Sequence, residues 1–447
     1  MLLLRRAAKS QTEVRSQVAH LVRRLAFGLP AAEIDALAEL GYDGAVDALC
    51  RFDRPDPGAD AVEPPTFRTA DHLAARRSGD DAARAASAAA LRDERRGLVL
   101  WWVRRMVAAQ HPAQEKLTFL WHDHFATSLR KVQYPELMHL QQRTLHRFGP
   151  GRFDELVHEV ARDPAMLIWL DGRSSTGRAP NENFARELLE LFTLGHAGHH
   201  GAGSYTEQDV AAAARALTGW VIDPTRGARF VPSRHDDGTK SLLGVSGPLG
   251  LDEVVSIVTS HPACAPHVVA SLWSKLVAPA APDAPAIEAL AAEFARDLDV
   301  AALVRRIVSH PEFLAPSARG ALVRPPVDYV VGIARSLSLE LDERVLLVLA
   351  GLGQVPFAPP DVDGWPTNEP WLSTSSALLR LQLATAVASQ PAVVDQVPAR
   401  SSQRADALAR LLGVDGWSEA TASAIGSAAS PADAVTVAIV SPEVVVA

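Results

Sequence analysis

Apolar residues along this chain recur at the three-and-four spacing of a helix and almost nowhere at the two-residue alternation of a strand, which confines it to helix-on-helix packing. From Gln11 to Phe27 the apolar positions are Val14, Val18, Leu21, Val22 and Leu25. Shorter periodic segments follow at 32–40 and 43–49, separated by Gly28-Leu29-Pro30 and Gly41. Thr69 to Gln110 is rich in Ala and Arg and free of proline, and predicts a long or broken helix. Pro112 and Pro135 each open a further segment, since a first turn tolerates a residue without an N–H. Between Val221 and Gly250 the period fails, and Gly, Pro and charge take over. The expected fold is all-α: a multi-helix globular bundle with one long irregular loop region, any strands being short and confined to it.

The 447 residues are enough to bury a sizeable core, and 48% hydrophobic with 21% charged residues excludes a disordered or fibrous chain. Four spans are expected: an N-terminal helical segment (1–52), a Pro/Asp-rich linker (53–68), a main helical domain carrying the candidate site (69–390) and a C-terminal helical tail (391–447). A net charge of −8 has the wrong sign for a protein that lives on nucleic acid or anionic lipid. The apolar run Leu98–Val103 around the tryptophan pair is far below the ~18 residues of a membrane span, so no membrane insertion is expected. Three leucines precede Arg5-Arg6, the reverse of an export signal, and a cytoplasmic location is expected. Cys50 and Cys264 are too few for a disulfide framework or a cysteine zinc site, which leaves His, Asp, Glu or Asn to hold any metal.

Three strings concentrate polar chemistry. Asn181 to Gly195 reads as an amphipathic helix, with Phe184, Leu188 and Leu191 on one arc and Glu182, Asn183, Arg186, Glu187 and Glu190 on the other. Asn183, Glu187 and Glu190 stand at i, i+4 and i+7, so three oxygen ligands share one stripe; a solvated face stitched by a Glu182–Arg186 pair is the plainer alternative. His122-Asp123-His124 ends an apolar helix. If the helix continues, the two histidines lie about 200° apart and cannot chelate one ion; if the chain extends, both point to one side. His235-Asp236-Asp237-Gly238-Thr239-Lys240 is either a loop delivering an acid, base or phosphate contact over a pocket, or a solvated turn. The stretch His196 to Gly203 is a His/Gly-rich insertion, and Phe357 to Pro366 a proline-fixed loop carrying aromatic rings. These rings either wall a pocket for a sugar or peptide or plug the core edge.

Ala19 to Gly28, Trp121 to Thr127, Asn181 to Gly195, Tyr205 to Asp209, Arg215 to Trp220, His235 to Lys240 and Pro356 to Pro366 together resemble the bacterial family called domain of unknown function 1800. The resemblance spans most of the chain. It implies a mainly helical protein, often exported in relatives and often encoded beside a sulfatase-like family, domain of unknown function 1501. This sequence departs from the family's pattern in showing no visible signal peptide and in carrying the His/Gly insertion before Tyr205. Two functions are expected as alternatives. One is a metal-assisted enzyme, most simply a hydrolase, with a divalent metal ion held by His122, His124, Asn183, Glu187 and Glu190, and with His235, Asp236, Arg186 and Lys240 carrying the chemistry. The other is a non-catalytic scaffold or partner subunit of the sulfatase-like protein, its polar strings serving as buried networks.

Overall fold

The Ala/Arg-rich stretch forms two helices, Thr69–Arg77 and Asp81–Ala108. Gly79 lies between them at φ +71°, and Asp80 caps the second by accepting from the Ala82 and Ala83 amides. Helices then begin at Pro112 and Pro135, where the prolines sit in first turns. The computed structural model describes residues 2–196, 205–280 and 284–447, with side chains from residue 11 onward. It is 63% helical, with 24 helices and two small two-stranded sheets among the described residues, which is the all-α fold expected. The strands fall where the helical period fails: β1 (Trp220–Asp223) pairs antiparallel with β2 (Gly227–Phe230), and β3 (Lys240–Leu242) with β4 (Val245–Gly247). No helix among the described residues is long and apolar enough to cross a membrane.

Two apolar clusters make the interior. The first gathers Val18, Leu21, Val22 and Leu25 of the first helix with Trp121, Phe125, Phe153 and Phe192. The second gathers Phe27, Trp102, Phe119, Phe357 and Trp365 with the helices Thr374–Ala388 and Pro431–Val440. Fully burying a large apolar side chain such as Trp102 or Trp121 contributes roughly 1.5–3 kcal/mol. The helix Pro112–His124 supplies Leu117 and Trp121 to the first cluster and Phe119 to the second, so its C-terminal end lies where the two meet. Residues 53–68 lie along the long helix. Asp56 takes the amides of Ala59, Gln110 and His111, and Trp101 Nε1 donates to the Val62 carbonyl.

Candidate functional site

The helix that begins at Pro112 runs through to His124, so His122 and His124 point to different sides. Each residue of His122-Asp123-His124 then meets a different part of the chain. His122 is 1% exposed; Trp102, Phe119, Phe357 and Trp365 surround its ring, and its Nε2 accepts the Phe357 amide at 3.0 Å. Asp123 accepts the Trp365 amide at 2.8 Å and pairs with Lys275. His124 donates from Nε2 to the Phe192 carbonyl at 3.0 Å and accepts from Ser271 Oγ at 3.3 Å. Burial holds both imidazoles at a pKa of about 3, so they are neutral.

The Phe357–Pro366 loop is therefore pinned onto this helix end. Phe357 is 1% and Trp365 5% exposed, so both rings are buried at the core edge, and Trp365 also borders a small cavity. Gly364 has φ +86°, and a Cβ there would fall 2.4 Å from Asp123 Oδ1, so only glycine permits the approach.

The Asn181–Gly195 segment departs from a plain α-helix. An α-helical turn at Asn183–Glu187 widens into a π-helix at Leu188–Thr193, where the Leu194 amide reaches the Leu189 carbonyl and Thr193 Oγ1 donates to the Leu188 carbonyl. Its last carbonyls are taken from outside: Leu191 by His267 at 2.7 Å and Phe192 by His124. Asn183 is exposed and its amide donates to Asp171. Arg186 pairs with Glu182, as the spacing suggests, and more closely with Glu207 at 2.7 Å. Glu190 meets His196 Nδ1 at 2.6 Å. The carboxyl of Glu187 is raised by partial burial and by Glu190 and Asp363 nearby. Residues 197–204, most of the His/Gly insertion, lie outside the described residues.

The His235–Lys240 loop is tied to the helix Glu207–Ala216 and to the turn after it. Arg215 grips Asp236 with two hydrogen bonds, at 2.6 and 3.2 Å, and holds its carboxyl below the usual range. His235 donates from Nδ1 to the Thr218 carbonyl at 3.0 Å and rests against Phe230. Lys240 is 2% exposed and donates to the Asp236 and Leu249 carbonyls.

As for the proposed ligands His122, His124, Asn183, Glu187 and Glu190, no three His, Cys, Asp or Glu side chains among the described residues stand together in a metal-holding group. The physical reason is that His122 is enclosed by aromatic rings and both nitrogens of His124 are engaged, while Asn183 and Glu190 lie toward solvent with other partners.

Sequence reasoning passed over the most unusual polar feature. A cavity of about 70 Å³ lies beside Asp123 and Trp365, lined by Arg23, Arg24, Lys116, Lys275 and Arg324 and by the carboxylates Asp123 and Asp328. Lys116 pairs with Asp328, and Lys275 with Asp123. The three arginines meet backbone carbonyls instead: Arg23 those of Glu443 and Val446, Arg24 those of Ala318 and Ala447, Arg324 those of Phe27 and Asp328. Burial and mutual repulsion lower Arg23 and Arg24 to about 9. The available signal was Arg23-Arg24 standing between Val22 and Leu25 of the first helix. Their partners, 294 to 423 residues away, gave none.

No curated protein and no solved structure matches this chain. One family model, described as a protein of unknown function (DUF1800), matches residues 20–446. The match runs from His20, inside the first motif of the earlier resemblance, to the penultimate residue, and the chain belongs to the DUF1800 family.

Proposed function

We propose that this chain works by binding, as a non-catalytic helical scaffold or partner subunit whose polar strings hold the fold together. The observation that carries the reading is the division of labour in His122-Asp123-His124, where each side chain fastens a different segment: Phe357, Trp365 with Lys275, and Phe192 with Ser271. These bonds engage Nε2 of His122, both carboxylate oxygens of Asp123 and both ring nitrogens of His124 in holding the fold. The partner proposed is the sulfatase-like protein of the domain of unknown function 1501 family, on the strength of the family resemblance alone. Mixing the two purified proteins and sizing the mixture tests that choice: co-elution supports it, and separate elution removes it.

A second reading, a hydrolase with or without a metal ion, has one observation behind it. Glu187 carries a carboxyl raised by partial burial and by the nearby charges of Glu190 and Asp363, a perturbation of the kind that acid–base sites use. Glu187→Gln separates the two readings. Under the scaffold reading the variant binds no metal, like the wild type, and melts at the same temperature or slightly higher, because a repelled charge has been removed. Metal present in the wild type by elemental analysis and lost in the variant, with stability unchanged, favours the hydrolase.

A further inference from the structure

We propose that the arginine-lined cavity beside Trp365 binds a small oxyanion that carries a proton, the phosphate group being the chemistry that fits it. This goes beyond the scaffold reading and does not depend on it, since none of the hydrogen bonds that fasten His122, Asp123 or His124 need be broken to fill the cavity.

Three observations converge. The first is an excess of cations: five basic side chains line the cavity against two side-chain carboxylates, Asp123 and Asp328, which are already matched by Lys275 and Lys116, and among the described residues Arg23, Arg24 and Arg324 form no ion pair with an Asp or Glu side chain. Buried guanidinium groups this close repel one another, and a bound anion relieves both the repulsion and the lost hydration. The second is unused donors. Arg24 is 3% exposed, and its Nε and Nη1 have no partner; Arg23 Nε, Arg324 Nε and the indole N–H of Trp365 are likewise buried and unpaired. Native proteins rarely leave such groups idle, and a bound anion or ordered water takes them. The third selects among anions. Asp328 Oδ1 is also buried without a partner. As an acceptor it repels an oxyanion with no proton, such as sulfate, and accepts a hydrogen bond from hydrogen phosphate or a phosphomonoester that retains one.

Size and access agree with a small headgroup. The cavity holds a few water molecules' worth of space, and Pro366 and Thr367, both exposed, line its outer end, where the rest of a larger molecule would emerge. Asn368, next along the lip, holds φ +61° and ψ −110°, a conformation that a side-chain-bearing residue keeps only when its surroundings impose it.

The test is calorimetric titration of the full chain at pH 7 with inorganic phosphate, a small phosphomonoester and sulfate, at matched ionic strength in chloride. Saturable phosphate or monoester binding in the millimolar range or tighter is expected, with sulfate at least tenfold weaker. A monoester that binds more tightly than free phosphate identifies a larger phosphorylated molecule as the natural source, and the reverse identifies the free ion. Trp365→Phe keeps the ring against Phe119 and removes one donor, so it should weaken binding several-fold with little change in melting temperature. Arg24→Gln should abolish binding. If Arg24→Gln does not fold, Trp365→Phe alone decides. No saturable binding, affinity unchanged in Trp365→Phe, or sulfate bound as tightly as phosphate overturns the proposal.

Discussion

Single atoms decide most at Gly364, where the Phe357–Pro366 loop touches Asp123. A methyl group added there meets the carboxylate oxygen at 2.4 Å and the Asp123 carbonyl at 2.6 Å while the backbone sits at φ +86°. Gly364→Ala should therefore cost about 3 kcal/mol or more in urea denaturation, as clashes at special backbone positions do. A loss below ~1 kcal/mol would mean that the loop is not pinned as described. At this scale the sequence was partly legible. The string His122-Asp123-His124 stood out as polar chemistry that packing does not demand, but a histidine that accepts a backbone amide and one that binds a metal look the same until their neighbours are known. Phe357 and Phe192 lie 235 and 68 residues from the histidines they meet.

Among elements, the helices were readable because period and proline act locally, and the strands fell in the expected irregular region. The π-turn at Leu188–Thr193 was not readable, since the same residues satisfy an α-helix equally well and the wider turn is fixed by partners that take its carbonyls, His124 and His267. The His235–Lys240 loop gave two open readings; in its geometry Arg215, Thr218 and Leu249 hold Asp236, His235 and Lys240, while Asp237 and Thr239 are exposed. Asp236→Asn removes the charge from the bond to Arg215. The expected loss is about 1 kcal/mol, kept small because Arg215 is 38% exposed. The sharper readout is faster amide exchange at Asp236 and Gly238, whose N–H groups are held by Thr218 Oγ1 and by the Asp236 carboxylate itself. Unchanged exchange at both would show that the pair does not order the loop.

The whole molecule carries its buried histidines as an acid liability. His20, His122 and His124 are each lowered from 6.5 to about 3, chiefly by burial. The unfolded chain takes up those protons first, so stability falls as pH drops below 6.5, by roughly 2 kcal/mol per histidine at pH 5. Asp163 works in the opposite direction. Burial pushes its carboxyl up to about 7, so the native state gains a proton that the unfolded carboxyl lacks, returning roughly 2–3 kcal/mol over the same range. From these four groups the net expectation is a fall of about 3 kcal/mol between pH 7 and pH 5, to which His139, lowered by burial to about 4, adds in the same direction; urea denaturation measures it, with a shallower fall in His124→Gln. A stability that is flat or rising toward pH 5 would contradict the neutral, buried state of these rings.

The same burial separates the two functional readings at the scale of the whole chain. If His122, Asp123 and His124 fasten segments together, the fold owes nothing to a divalent ion. The direct measurement is the melting temperature of the purified chain before and after exhaustive chelation, then again with zinc, manganese, magnesium or calcium restored one at a time. The scaffold account predicts one melting temperature throughout. A clear fall on chelation, reversed by one of these ions, would contradict it, because an ion that binds the native state raises stability by mass action.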